Sequence, residues 1–127
     1  MRQLLLDTHV ALWAFASPEL LRPEVRSALT DPLNTVMVSA ISIWEVEIKR
    51  ALGTLDAPQG FAALCIDRGF DALDVSFRHA EVAGALPPHH GDPFDRMLVA
   101  QAMTEGFELV TTDPAMSAYD VRLVAAT

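Results

Sequence analysis

The sequence predicts an α/β fold in which an open, mostly parallel sheet of five strands carries helices on both faces. Three observations lead there. Short continuous apolar runs, Leu4-Leu5-Leu6 and Val36-Met37-Val38, suit strands buried on both faces, and Leu109-Val110-Thr111 reads as a further strand. Helical segments separate these runs, and strands alternating with helices imply parallel crossovers. The length of 127 residues at 51% hydrophobic content supplies one core, so a single domain over residues 1–127 is expected.

Each element has a local reason. The first strand ends at Asp7-Thr8-His9, and an apolar helical stretch over 10–15 follows. Ser17-Pro18-Glu19 and Pro23-Glu24 open a short helical pair reaching Leu29, because proline fits the first helical position. Asp31-Pro32-Leu33-Asn34 is a turn, and the second strand closes at Ser39. A helix over 41–52 stops at Gly53. Its apolar stripe is Ile41, Trp44, Ile48, Ala51 and Leu52, which assigns Trp44, like Trp13, to the core. Glu45 falls inside the arc of that stripe, whereas Glu47 and Arg50 do not. A helix over 58–68, a third strand over 72–75, a helix over 77–86 and the loop Pro87-Pro88-His89-His90-Gly91 come next. Asp92-Pro93 then starts a helix that runs to Thr104, with an Asx cap and a proline just inside it. Asp95, Leu98, Val99, Ala102 and Gly106 share one face of it. That face is core-directed, and a carboxylate aimed inward costs free energy unless something cationic meets it. The fourth strand ends at Thr112-Asp113-Pro114, and a fifth over 121–124, with Arg122 between apolar neighbours, lies at the sheet edge.

Composition excludes several classes. A formal charge of −8 argues against a general nucleic-acid binder, although carboxylates gathered around a divalent metal would also make a small domain acidic. Cys65 is the only cysteine, so no internal disulfide forms and a reducing, cytoplasmic setting is expected. Asp7 and His9 interrupt the segment that superficially resembles a signal peptide, and no apolar run approaches the length of a membrane span. A soluble protein with no membrane partner is expected.

Ligands of open α/β sheets bind outside the carboxyl ends of the strands. Asp7 and Asp113 lie at the ends of the first and fourth strands, while Glu45 and Asp95 lie near the starts of helices that begin at the same edge. All four acids therefore converge in this reading. Each has a simpler explanation alone. Ser42-Ile43-Trp44-Glu45 and Asp92-Pro93-Phe94-Asp95 fit the capping box, and Asp7 and Asp113 could be caps or turn formers. Four caps need not converge, and packed carboxylates would repel, so a hard cation, Mg2+ or Mn2+, is the natural resolution. Such a site suits phosphodiester hydrolysis, because the ion lowers the pKa of a bound water and offsets charge on the leaving oxygen. Thr8 and Thr112 adjoin the strand-end acids as supporting groups. Arg96 could clamp a phosphate or balance the acids, and Lys49 could pair with Glu45 one turn away or reach substrate. His89 and His90 could touch substrate or metal, although adjacent histidines in a proline-rich loop are more often simply solvated.

Leu4-Leu5-Leu6-Asp7-Thr8-His9, Ser39-Ala40-Ile41-Ser42-Ile43-Trp44-Glu45, the run from Asp92 to Ala102 and Leu109-Val110-Thr111-Thr112-Asp113 together resemble PIN domains. The nearest likeness is to VapC-type toxins of bacterial toxin–antitoxin pairs, and it extends from Leu4 to about Val124. The resemblance implies a PIN-like three-layer α/β/α fold and an endoribonuclease dependent on Mg2+ or Mn2+. It also implies a homodimer held inactive by a small DNA-binding antitoxin that often sends an arginine toward the acids. The family's acidic quartet falls on Asp7, Glu45, Asp95 and Asp113, and Asp92 is an additional acid assigned to capping and to support of the site.

Other readings fit less well. A receiver-like Mg2+-binding signalling domain wants adjacent acids after the first strand and a lysine after the fifth, but Asp7 stands alone and Lys49 is the only lysine. A phosphohydrolase with Asp7 as covalent nucleophile wants an Asp two residues later, where His9 stands. A catalytically silent PIN-like module that only binds a partner stays open, though the intact quartet argues against it.

Overall fold

The computed structural model describes residues 1–127. Its elements are β1 (Gln3–Leu6), α1 (Thr8–Ala16), α2 (Pro23–Thr30), β2 (Thr35–Ser39), α3 (Ala40–Ala51), α4 (Phe61–Asp67), β3 (Asp71–Leu73), α5 (Phe77–Ala85), α6 (Pro93–Glu105), β4 (Glu108–Thr111) and β5 (Leu123–Ala125). Short 3-10 turns cover Pro18–Leu20 and Pro114–Ala118. The strands form one sheet in the order β3-β2-β1-β4-β5, and every pairing is parallel rather than mostly so.

The apolar runs work as two-sided strands. Leu4 and Leu6 of β1 face a cluster with Val10, Val25, Val46 and Phe61 from α1 to α4. Leu5 faces the opposite cluster, with Leu98, Val99 and Ala102 of α6. Successive side chains leave a strand on opposite faces, so three adjacent leucines anchor two helical layers at once. The result is the three-layer α/β/α arrangement.

Several expected boundaries move. The third strand is Asp71–Leu73, not 72–75, because the chain leaves the ladder for the Ser76 cap of α5 and pairs only with β2. The fifth strand is Leu123–Ala125, not 121–124. Arg122 sits before it, turning its guanidinium onto the Gly106 carbonyl. The helix expected over 58–68 is confined to Phe61–Asp67. Trp44 is not core: it is 58% exposed, since the inward side of α3 is taken by Ser42, Glu45 and Val46. α6 ends at Glu105, one residue past the expected Thr104, and Gly106 closes it in the left-handed conformation (φ 74°) that glycine adopts without a Cβ penalty.

This topology sets the site. β1 is central, and the chain passes from β3 on one side to β4 on the other, so the sheet opens at the carboxyl ends of β1 and β4. α1, α3 and α6 all start at that edge.

Candidate active site

Asp7 leaves β1 as the N-cap of α1, with Oδ1 accepting from the Val10 amide at 2.8 Å. Oδ2 accepts from the Thr111 hydroxyl at 2.6 Å and the Thr112 amide at 3.1 Å. Burial raises the Asp7 pKa, and these three donors oppose the rise. Asp7 is thus both a helix cap and a strap between β1 and β4. Thr111 also accepts from the Asp113 amide at 3.0 Å, so one hydroxyl fixes two of the acids. Thr111→Val should leave the fold intact and lower activity about tenfold, as for groups that orient a site from behind. Steady-state activity tests this, and an unaltered rate would reduce the strap to a structural role.

Glu45 lies in the second turn of α3, buried. The serine three residues earlier is not its cap. Ser39 caps α3, accepting from the Ile41 amide, because the helix starts directly at the strand end. Ser42 and Glu45 are instead both turned toward Thr8, whose hydroxyl donates to Glu45 Oε1 at 2.5 Å. Lys49 Nζ donates to Glu45 Oε2 at 2.6 Å, and that partner raises the Lys49 pKa.

Asp92 caps α6, accepting from the Phe94 and Asp95 amides. Asp95 does not return the bond, since the Asp92 amide donates to His90 Nδ1 at 3.1 Å. The carboxylate of Asp95 is therefore free to face the crevice. Its pKa is pushed up to about 7 by burial first and then by Asp92, with Asp7 and Glu45 adding to the rise and His90 opposing it. These influences record that acids of three separate segments, Asp7, Glu45 and the Asp92–Asp95 turn, share one neighbourhood.

His90 joins two of them. Its Nε2 is 2.9 Å from Asp113 Oδ2 and 3.2 Å from Asp95 Oδ2. With Nδ1 accepting, the network places the proton on Nε2. The bond to Asp113 raises the pKa of His90 and lowers that of Asp113. Ligand atoms of His90, Asp95 and Asp113 lie within 4.8 Å of one another, close enough to share an ion. The carboxylate oxygens of Asp95 and Asp113 suit a hard divalent cation, while His90, with its proton on Nε2, is a donor between them. The tightest group is therefore not the expected quartet: Asp7 and Glu45 flank it, each held by its own hydroxyl.

Arg96 does neither of the things expected of it. Its guanidinium donates to the carbonyls of Ala83, Leu86, Pro87 and His90 and to the Tyr119 hydroxyl, fastening loop 86–90 onto α6. The other cations are similarly occupied. Arg2, Arg22, Lys49 and Arg50 pair with carboxylates. Arg26, Arg68 and Arg122 donate to backbone carbonyls, which leaves Arg78.

Residues 4–122 match the PIN domain family. The chain belongs to that family. This PIN domain is 32% identical over 121 residues to Ribonuclease VapC22 of Mycobacterium tuberculosis, a match covering 89% of this chain and 88% of that protein. Its fold is shared by VapBC2 from Rickettsia felis, solved bound to a DNA fragment from their promoter, at TM-score 0.73 and 17% identity, covering 98% of this chain and 99% of that one. VapBC-1 from nontypeable Haemophilus influenzae matches at TM-score 0.67 and 19% identity, over 97% of each chain.

Two members of this PIN domain's site carried no strong sequence signal. His90 was read as able to touch substrate or metal, with solvation the commoner fate, and its place two residues before the Asp92 cap lets its Nδ1 accept from that amide. Thr111 read as a strand residue, and its neighbour Thr112 reaches Asp7 through the backbone amide rather than the hydroxyl. His89 stays in the loop, edge-on to Tyr119.

Proposed function

We propose that this PIN domain is a Mg2+- or Mn2+-dependent endoribonuclease and the toxin of a toxin–antitoxin pair. The observation that carries the reading is the group His90, Asp95 and Asp113, whose ligand atoms lie within 4.8 Å of one another, with the half-buried Asp95 carboxyl pushed up to about 7 by burial and then by Asp92. Similarity to a ribonuclease supports RNA as substrate, and likeness to VapBC assemblies supports an antitoxin partner.

Asp7, Glu45, Asp95 and Asp113 would hold the ion, with Thr8, Asp92 and Thr112 supporting and His90 between the last two acids. A divalent ion bound there would offset charge on the phosphodiester and supply a water of lowered pKa. The chain's own groups keep the donors aimed. Thr8 and Lys49 hold Glu45, Thr111 and the Thr112 amide hold Asp7, and His90 orients Asp95 against Asp113. Lys49, one-third exposed, is also the cation assigned to substrate phosphate. The reading extends to a cytoplasmic homodimer silenced by a small DNA-binding antitoxin, whose arginine would offset the crevice acids. No helix is long and apolar enough to cross a membrane.

Purified protein should cleave single-stranded RNA with Mn2+ or Mg2+ and stop when the metal is chelated. Asp7→Asn should abolish cleavage with an unchanged circular dichroism spectrum; equal activity in the variant would point to a contaminating nuclease and end the reading. Expression without the neighbouring antitoxin gene should arrest the host, and the Asp7→Asn/Asp95→Asn double variant should not. Harmless expression of the parent would favour a module that only binds a partner.

A further inference from the structure

We propose that Trp44 and Phe94 form a stacking platform for one unpaired RNA base beside the scissile phosphate; this rests on the nuclease reading above. Each ring directly precedes a site carboxylate in sequence, Trp44 before Glu45 on α3 and Phe94 before Asp95 on α6. Successive helical side chains diverge, and it is the contact between the two rings that bridges α3 and α6 at the rim above those acids. The two rings meet edge to face, with centroids 5.7 Å apart and planes at 68°. Lys49 Nζ lies 5.8 Å from the Phe94 centroid while pairing with Glu45, so a cation, an aromatic pair and the acids adjoin one another.

Trp44 is 58% exposed, a large apolar surface left to solvent at the rim of a polar site. Packing does not explain it, because the inward side of α3 is filled by Ser42, Glu45 and Val46.

Charge selects the occupant. RNA binding ordinarily draws on phosphate neutralisation by Lys and Arg. Here the net charge is −8 and every cation except Arg78 is already engaged in an ion pair or on a carbonyl. With Lys49 the one cation assigned to phosphate and the domain acidic overall, affinity draws on a contact that needs no charge, and base–aromatic stacking is such a contact. It also needs an unpaired base, which makes the platform a filter for single strands and a device that sets the phosphate over the carboxylates.

The test uses the full chain with Asp95→Asn, so that RNA is bound without being cut. The fluorescence difference between this protein and its Trp44→Phe counterpart isolates Trp44 from Trp13. A short single-stranded oligoribonucleotide should quench Trp44 markedly, whereas an abasic oligomer of equal length and an RNA duplex should not. In the otherwise native chain, Trp44→Ala should raise KM roughly tenfold with a smaller change in kcat, and Trp44→Phe should retain most affinity. Equal quenching by the abasic oligomer overturns the proposal, as does unchanged Trp44 emission in a protein whose parent cuts RNA. An emission change on raising protein concentration alone would assign the pair to a contact between copies, and also overturns it. Base-dependent quenching by a parent that cuts no RNA would uphold the platform while defeating the nuclease reading.

Discussion

Asp95→Asn is expected to lower RNA cleavage by two orders of magnitude or more while making the metal-free protein more stable at neutral pH. Both effects follow from one group. In the folded chain the Asp95 carboxyl keeps its proton up to about 7, whereas an unfolded aspartate loses it near 3.9, on the order of the free side chain. Between those values the folded state binds more protons than the unfolded state. The contribution of Asp95 to stability is therefore fully present below about pH 4 and is lost as pH rises through the folded-state value. The carboxamide of the variant carries no such charge. Because the carboxylate is 24% exposed, solvent screening reduces the cost below the full linkage value. The variant should exceed the parent by on the order of 2 kcal/mol at pH 8, with the gap closing toward pH 4. Urea unfolding in EDTA at the two pH values measures this. Adding Mn2+ at pH 8 should then stabilise the parent more than the variant. A variant less stable than the parent at pH 8 would show that Asp95 is not under electrostatic pressure.

The second large effect is structural and falls where substrate contact was expected. Arg96→Ala should cost about 3 kcal/mol, because four backbone carbonyls and the Tyr119 hydroxyl lose a charged donor. Thermal unfolding should shift down by roughly 10 °C. Arg96→Lys should recover little, since a single ammonium cannot reproduce a planar fork that serves separate carbonyls. Loop 86–90 carries His90, so activity should fall along with stability. If Arg96→Ala weakens RNA binding at unchanged stability, Arg96 is a substrate residue after all.

The capping-box pattern shows how local pattern and tertiary role diverge. Ser42 and Glu45 satisfy it in sequence, yet both bond to Thr8, and Glu45 does so across 37 residues. The box that does form is Ser76 with His79, where each side chain accepts from the other's backbone amide. Asp92-Pro93 was legible for the opposite reason: cap and proline act within one turn, and α6 starts there.

Sequence alone determined the class of fold, the order of its elements and the four acids brought toward one sheet edge. Those follow from short-range signals: apolar runs, helical spacing, caps, and the rule that strands followed by helices open a crevice at their carboxyl ends. Only the tertiary structure decided what each polar group does there. The Thr111 strap to Asp7 spans 104 residues, the His90 bridge to Asp113 spans 23, and the exposure of Trp44 follows from which side of α3 meets the sheet. A hydrogen bond is specific to within a few tenths of an ångström, and no periodicity along a chain carries that information between segments that far apart.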